Sequence, residues 1–263
     1  MAEVIVVTSG KGGVGKTTTT SNIGAALASL GKKVILIDTD IGLRNLDLVM
    51  GLENRVVFNL VDVVEGSCKI QNAAIKDKRF PGLSLLPAAQ TKDKDAVNEE
   101  QMKKLCEELK KEYDYILLDC PAGIEQGFKN AVAGADRAIV VTTPEVSAVR
   151  DADKSIGMLN AYGVTDHKLL VNRVRIDMVK RGDMITLEDI IDILGIKLIG
   201  VVPDDEEIIV STNKGEPAIL NSKSEAGKAY SNIARRIIGE EVPLMELKDS
   251  NSFFGKLKKL FSR

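Results

Sequence analysis

Two lysines stand five positions apart in a loop crowded with glycine, Lys11 and Lys16 in TSGKGGVGKTTTTSNIG from Thr8 to Gly24. Gly10, Gly15, Lys16 and Thr17 satisfy G-x-x-x-x-G-K-[ST], the spacing that lets backbone N–H groups converge on phosphate oxygens. Gly10, Lys11, Gly12, Gly13, Val14, Gly15, Lys16, Thr17 and Thr18 are the candidate phosphate-contacting residues. Lys16 is expected to reach the β- and γ-phosphates, the Thr17 hydroxyl to bind Mg²⁺, and Thr18 to touch the α-phosphate. A glycine-rich turn without a ligand is the bland alternative, and the strand before it and the helix after it argue against that.

Three aspartates extend the chemistry. Asp119 ends the apolar run YILLDC, where an acid could orient Mg²⁺ and its water, or cap a helix. Asp38 and Asp40 follow the run KVILID, in IDTDIGLRNLD. Either could position an attacking water, since the carboxyl ends of strands face the ligand crevice in an open α/β sheet; a pair of solvated loop acids is the alternative.

These residues need a scaffold, and the apolar runs provide one. Residues 3–9, 33–38, 83–88, 115–120, 137–143, 167–174 and 197–203 read as strands that are continuously apolar rather than alternating, as in a parallel sheet covered on both faces. Helical patterns separate them, among them 15–30, 98–112, 145–160 and 223–239. The expected fold is α/β: a doubly wound, mostly parallel sheet with helices on both faces, of the P-loop NTPase type.

The chain has 263 residues and a formal net charge of -2, so bulk charge does not point to nucleic acid. Cys68, Cys106 and Cys120 match neither a zinc pattern nor a disulfide framework, which suits a reducing compartment. The start carries no basic leader, and no apolar run approaches the ~20 residues of a spanning helix. His167 reads as a surface residue, Cys120 as a small buried one, and Glu145 as an ordinary helix-start acid.

Composition changes near residue 241. Residues 1–240 form the expected ATPase domain, 241–252 a polar linker, and 253–263 an amphipathic tail, FFGKLKKLFSR. At about 100° per residue, Phe253, Phe254, Leu257, Leu260 and Phe261 fall within an arc of roughly 120°, with Lys256, Lys258 and Lys259 flanking or beyond it. A basic helix with Phe and Leu on one face reads as an interfacial membrane anchor, against the alternatives of core docking or capture by a peptide-binding partner. One tail is marginal. Its apolar burial, roughly 7–15 kcal/mol, is offset by on the order of 10 kcal/mol of ordering cost. Two tails carried together would gain avidity of roughly 10²–10⁴.

KGGVGKT, DTDIGLRNLD and LLDCPAG together resemble the deviant Walker A (MinD/ParA) family, which includes the partition ATPases and the nitrogenase iron protein. The resemblance to its septum-placing branch runs end to end, through CPAGIEQGF, TTPEVSAVRDADK and the tail. It implies an ATPase activated by dimerisation, with Lys11 crossing the interface to the nucleotide of the other subunit. It implies that Asp40 holds the catalytic water, making Lys11, Lys16 and Asp40 the catalytic set. Thr17, Asp38 and Asp119 become the Mg²⁺ residues, with Asp38 acting through water. Asn172, Pro203 and Asp204 would hold the adenine, and Arg44 and Asn45 would lie in a switch that meets the partner.

The resemblance also implies a homodimer with ATP, anionic membrane lipid, a MinC-type division inhibitor, and a MinE-type activator or polar scaffold. Asp151 and Asp153 are candidate partner contacts. The protein would be cytoplasmic as a monomer and peripheral on the cytoplasmic face of the membrane when ATP-bound. A partition ATPase binding DNA non-specifically is the competing expectation, which the net charge and the tail oppose. An iron–sulfur carrier would need cysteines spaced for a cluster, and a non-enzymatic scaffold would leave the loop chemistry without a purpose.

Overall fold

The computed structural model describes residues 2–245. The amphipathic tail, with Phe253, Phe254, Lys256, Leu257, Lys258, Lys259, Leu260 and Phe261, lies outside the described residues, as does most of the linker.

Eight strands form one sheet among the described residues: β1 (Glu3–Thr8), β2 (Val34–Asp38), β3 (Ile75–Lys76), β4 (Leu83–Leu86), β5 (Tyr115–Asp119), β6 (Arg137–Thr142), β7 (His167–Val174) and β8 (Lys197–Pro203). Their order is β3-β4-β2-β5-β1-β6-β7-β8. All neighbours are parallel except β3 with β4. The seven expected strands are present, and β3 is an addition: two residues of antiparallel edge, too short to show as an apolar run. The expected strand 83–88 ends earlier, at Leu86, where Pro87 brings no N–H to a ladder.

Strand alternation divides the core into two layers. Val4, Val6, Ile35, Ile37, Ile116 and Leu118 face one side, with Leu105, Phe128, Val149 and Ile156 from the helices Glu99–Leu109, Gln126–Ala133 and Val146–Ala161. Ile5, Val7, Val34, Leu36 and Leu117 face the other, with Ile23 and Leu27 of helix Lys16–Ser29 and Tyr230 and Ile233 of helix Glu225–Ile237. Because both faces are covered, every one of these strand side chains is excluded from water. That explains the continuous apolar runs in the sequence.

The ends of β1, β2 and β5, three adjacent strands, therefore deliver the glycine-rich loop, Asp38 and Asp119 to one edge of the sheet. Among the described residues, no helix is long and apolar enough to cross a membrane.

Candidate functional site

The loop from Ser9 to Gly15 turns from β1 into helix Lys16–Ser29, and Gly15 caps that helix with φ 99°. Only glycine adopts this conformation without cost, and here space forbids a side chain too: a Cβ on Gly15 would collide with Nδ2 of Asn172. Asn172 is buried and donates from Nδ2 to the Val14 carbonyl at 2.8 Å. Gly10 is equally confined, because a Cβ there would overlap the Asp151 carbonyl.

Lys16 is buried and donates from Nζ to Ser9 Oγ at 3.0 Å; Ser9 in turn donates to the Lys11 carbonyl at 2.7 Å. The ammonium is thus held against the inner wall of its own loop by a hydroxyl, with the Asp119 carboxyl near enough to feel its charge.

Asp38 and Asp119 are register partners on β2 and β5, and both are buried. Asp119 accepts from Thr20 Oγ1 at 3.1 Å and from the Thr17 hydroxyl. Asp38 accepts from three backbone N–H groups: Asp40 on Oδ1 at 2.9 Å, and Asn45 and Leu46 on Oδ2 at 3.0 and 3.1 Å. Burial pushes both carboxyls well above the usual range. For Asp119 the nearby Asp38 charge adds to this, while Thr17, Lys16 and Thr20 oppose it. For Asp38 the three N–H groups oppose it, and Asp40 adds a smaller upward push.

Two buried carboxyls and the Thr17 hydroxyl make a hard-oxygen donor set with surplus negative charge, which fits Mg²⁺. Asp40 sits next to this set at the end of β2, half-buried, with its carbonyl accepting from Leu43 and Arg44 N–H at 3.2 Å each.

Lys11 points the other way. Its Nζ lies 3.2 Å from Glu145 Oε2 and 3.0 Å from Ser147 Oγ, at the start of helix Val146–Ala161, and its side chain is 40% exposed. Pro203 ends β8 half-buried, and the exposed Asp204 donates its N–H to the Val174 carbonyl at 3.1 Å. A β-bulge between Val171 and Val174 puts Arg173 in the left-handed region, φ 55°, and turns Asn172 inward to the loop.

A protein-family model described as an AAA domain matches residues 2–161. The septum site-determining protein MinD of Bacillus subtilis is 58% identical over 264 residues, which cover 99% of this chain and 98% of the relative. This chain belongs to the MinD family. Among solved structures, the MinC:MinD cell division complex of Aquifex aeolicus is 52% identical with a TM-score of 0.86, covering 93% of this chain and 99% of that one. The septum site-determining MinD of Pyrococcus horikoshii complexed with Mg-ADP is 31% identical with a TM-score of 0.82, covering 91% and 97%. As a member of the MinD family, the chain is a septum site-determining P-loop ATPase whose nucleotide is ATP and whose metal is Mg²⁺.

For this MinD-family chain the fold brings together the loop residues, Asp38, Asp40, Asp119 and Asn172; Lys11 stands apart on the surface. Arg44 and Asn45 lie in the segment that Asp38 organises. Arg44 takes the left-handed conformation, φ 46°, and donates from Nε to the buried Asp47 at 2.6 Å. Ser9, Thr20, Asp47 and Ser147 touch these residues without being singled out in the sequence reading, and Glu145, read there as an ordinary helix-start acid, pairs with Lys11. Ser9 and Thr20 flank the motif and could have been found there. Glu145 and Ser147 are 134 and 136 residues from Lys11, with no local signal. His167 opens β7 as expected, but is half-buried rather than fully exposed.

Proposed function

We propose that this chain is an ATP-hydrolysing switch. It dimerises with ATP, holds the inner face of the cell membrane through its C-terminal helix, and recruits a MinC-type division inhibitor to place the septum. The observation that carries this reading is the divergence of the two loop lysines. Lys16 is buried against Ser9, whereas Lys11 rests on the surface against Glu145. An exposed ion pair of this kind is worth about 0–1 kcal/mol, so a phosphate on a second copy competes for Lys11 at little cost.

The residues then divide the work. The backbone from Gly10 to Thr18 and the Lys16 ammonium cradle the phosphates. Thr17, Asp119 and, through water, Asp38 hold Mg²⁺, which when bound offsets charge on the β- and γ-phosphate oxygens. Asp40 orients the attacking water and accepts its proton as the water oxygen bonds the γ-phosphorus and the bond from that phosphorus to the β–γ bridging oxygen breaks, ADP leaving with that oxygen. Lys11 of the second copy adds positive charge where the transferring group becomes most negative, so hydrolysis waits for pairing. Asn172, Pro203 and Asp204 receive the adenine.

In domain terms, residues 1–240 are the ATPase, 241–252 the linker and 253–263 the anchor, so that the monomer is cytoplasmic and the ATP-bound pair peripheral on the membrane. The MinC:MinD structure of the Aquifex relative supports a MinC-type partner, with Asp151 and Asp153 on helix Val146–Ala161 as contacts. A MinE-type activator or polar scaffold would set where release occurs.

Mixing two inactive variants tests the shared site. Lys11→Ala retains Asp40 but receives charge only from its partner; Asp40→Ala retains Lys11 but cannot orient water. If Lys11 acts across the interface, the mixture hydrolyses ATP although neither variant does alone. A mixture as inactive as its components contradicts the reading.

A further inference from the structure

The segment carrying Asp38 and Asp40 and the segment following Pro203 and Asp204 meet at one guanidinium. Arg79 lies in the hairpin between β3 and β4, at the edge of the sheet. Its Nη2 donates to the Met50 carbonyl at 2.5 Å and its Nη1 to the Gly215 carbonyl at 2.7 Å. Asp77 fixes it in place, accepting from Nε at 3.0 Å, from Nη2 at 2.6 Å and from the Arg79 backbone N–H at 2.8 Å. The Asp77 side chain is 1% exposed and the Arg79 side chain 29%, so a buried carboxylate holds a partly exposed guanidinium through two bonds.

The carbonyls it joins have different origins. Met50 closes helix Leu46–Val49, whose first N–H groups bond Asp38. Gly215 follows helix Glu206–Asn213, which begins three residues after Pro203. At the seam the backbones touch: a Cβ on Gly51 would sit 2.7 Å from the Gly215 carbonyl oxygen, and one on Gly215 would sit 2.5 Å from Gly51 Cα. The guanidinium can satisfy two carbonyls and a carboxylate at once because its donors form a rigid planar fork; an ammonium presents a single point charge.

We propose that Arg79 is a positioning residue for hydrolysis: by tying Met50 to Gly215, it fixes the Asp38–Met50 segment, and with it Asp40, against the helix behind the base side of the site. It acts through Asp40 from the edge of the sheet. The inference rests on Asp40 as the residue that orients the water.

The test uses the full chain with Mg-ATP, measuring steady-state phosphate release, ATP affinity and thermal unfolding for Arg79→Lys, Arg79→Met, Asp40→Asn and the double variant Arg79→Lys with Asp40→Asn. Arg79→Lys is expected to lower kcat on the order of 10–10²-fold and to leave ATP affinity within about threefold. Lysine keeps a charge beside Asp77 and so unfolds at a higher temperature than the methionine variant, without recovering turnover. The double variant is expected to be no slower than Asp40→Asn alone, as for two residues acting through one group. Gly215→Ala, which strains the same seam from the other side, is expected to reproduce the kcat loss if the Arg79 variants do not fold. Wild-type kcat in Arg79→Lys, or a double variant slowed by the full product of the two effects, overturns the role of Arg79. Wild-type turnover in Asp40→Asn instead overturns the reading of Asp40, and with it the route through which Arg79 acts.

Discussion

Asp38 and Asp119 face each other across β2 and β5 as register partners, both buried, at the point where the glycine-rich loop turns into its helix. Two carboxyls so placed hold protons more tightly in the folded chain than in the unfolded one. Protons therefore favour the native state, and the nucleotide-free protein loses stability as pH rises from the ordinary carboxylate value of 3.8 to about 7, where Asp119 is pushed. Urea unfolding at several pH values checks this. Asp119→Asn is expected to flatten the dependence and to stabilise the nucleotide-free chain above neutral pH by about 1–2 kcal/mol, while weakening Mg²⁺-dependent nucleotide binding.

The two lysines separate by variant. Lys16→Ala removes a buried charge-assisted contact worth about 1.5–3 kcal/mol and is expected to weaken ATP binding roughly 10–10²-fold. Lys11→Ala is expected to retain most ATP affinity and to lose pairing and turnover, because in the single chain Lys11 contacts Glu145 and Ser147 rather than the inner loop. Titration with a fluorescent ATP analogue, beside light-scattering mass with ATP, separates the two outcomes. Full hydrolysis by Lys11→Ala at high dilution contradicts its assignment.

Gly15 and Asn172 form one unit. Gly15→Ala is expected to cost about 1–3 kcal/mol in backbone strain and to displace Asn172, whose Nδ2 occupies the space of the new methyl. Asn172→Ala leaves the loop room and removes one neutral hydrogen bond, about 0.5–1.5 kcal/mol. Calorimetric titration is expected to show ATP binding abolished in the glycine variant and weakened only up to about tenfold in the asparagine variant. Equal losses would separate the two residues.

What was legible followed from burial and spacing. β1, β2 and β5 announce themselves because both faces are covered, and their carboxyl ends place Asp38 and Asp119 beside the loop before any coordinates are known. What was hidden depends on chain returns. β3 is two residues long. Arg79, in KDKRF, carries no local signal, because its partners Met50 and Gly215 lie 29 and 136 residues away in the chain. The three N–H groups on Asp38 need the tight return of residues 40–46. The bonds of Arg236 are equally hidden: it donates to the Val242 and Pro243 carbonyls at 2.9 and 2.6 Å and to the Ile199 carbonyl on β8 at 2.9 Å.

Deleting residues 253–263 separates attachment from pairing. The truncated chain is expected to form the ATP-dependent dimer and to leave vesicles untouched, read by light-scattering mass and flotation. Vesicle binding by the truncated chain would move the anchor elsewhere.

The coupling of nucleotide to membrane is tested most directly by co-sedimentation of the full chain with anionic vesicles in the presence of Mg-ATP, Mg-ADP or neither. Two marginal tails on one pair should bring the protein into the pellet with Mg-ATP and leave it in the supernatant in the other two cases. Equal pelleting in all three would contradict the account.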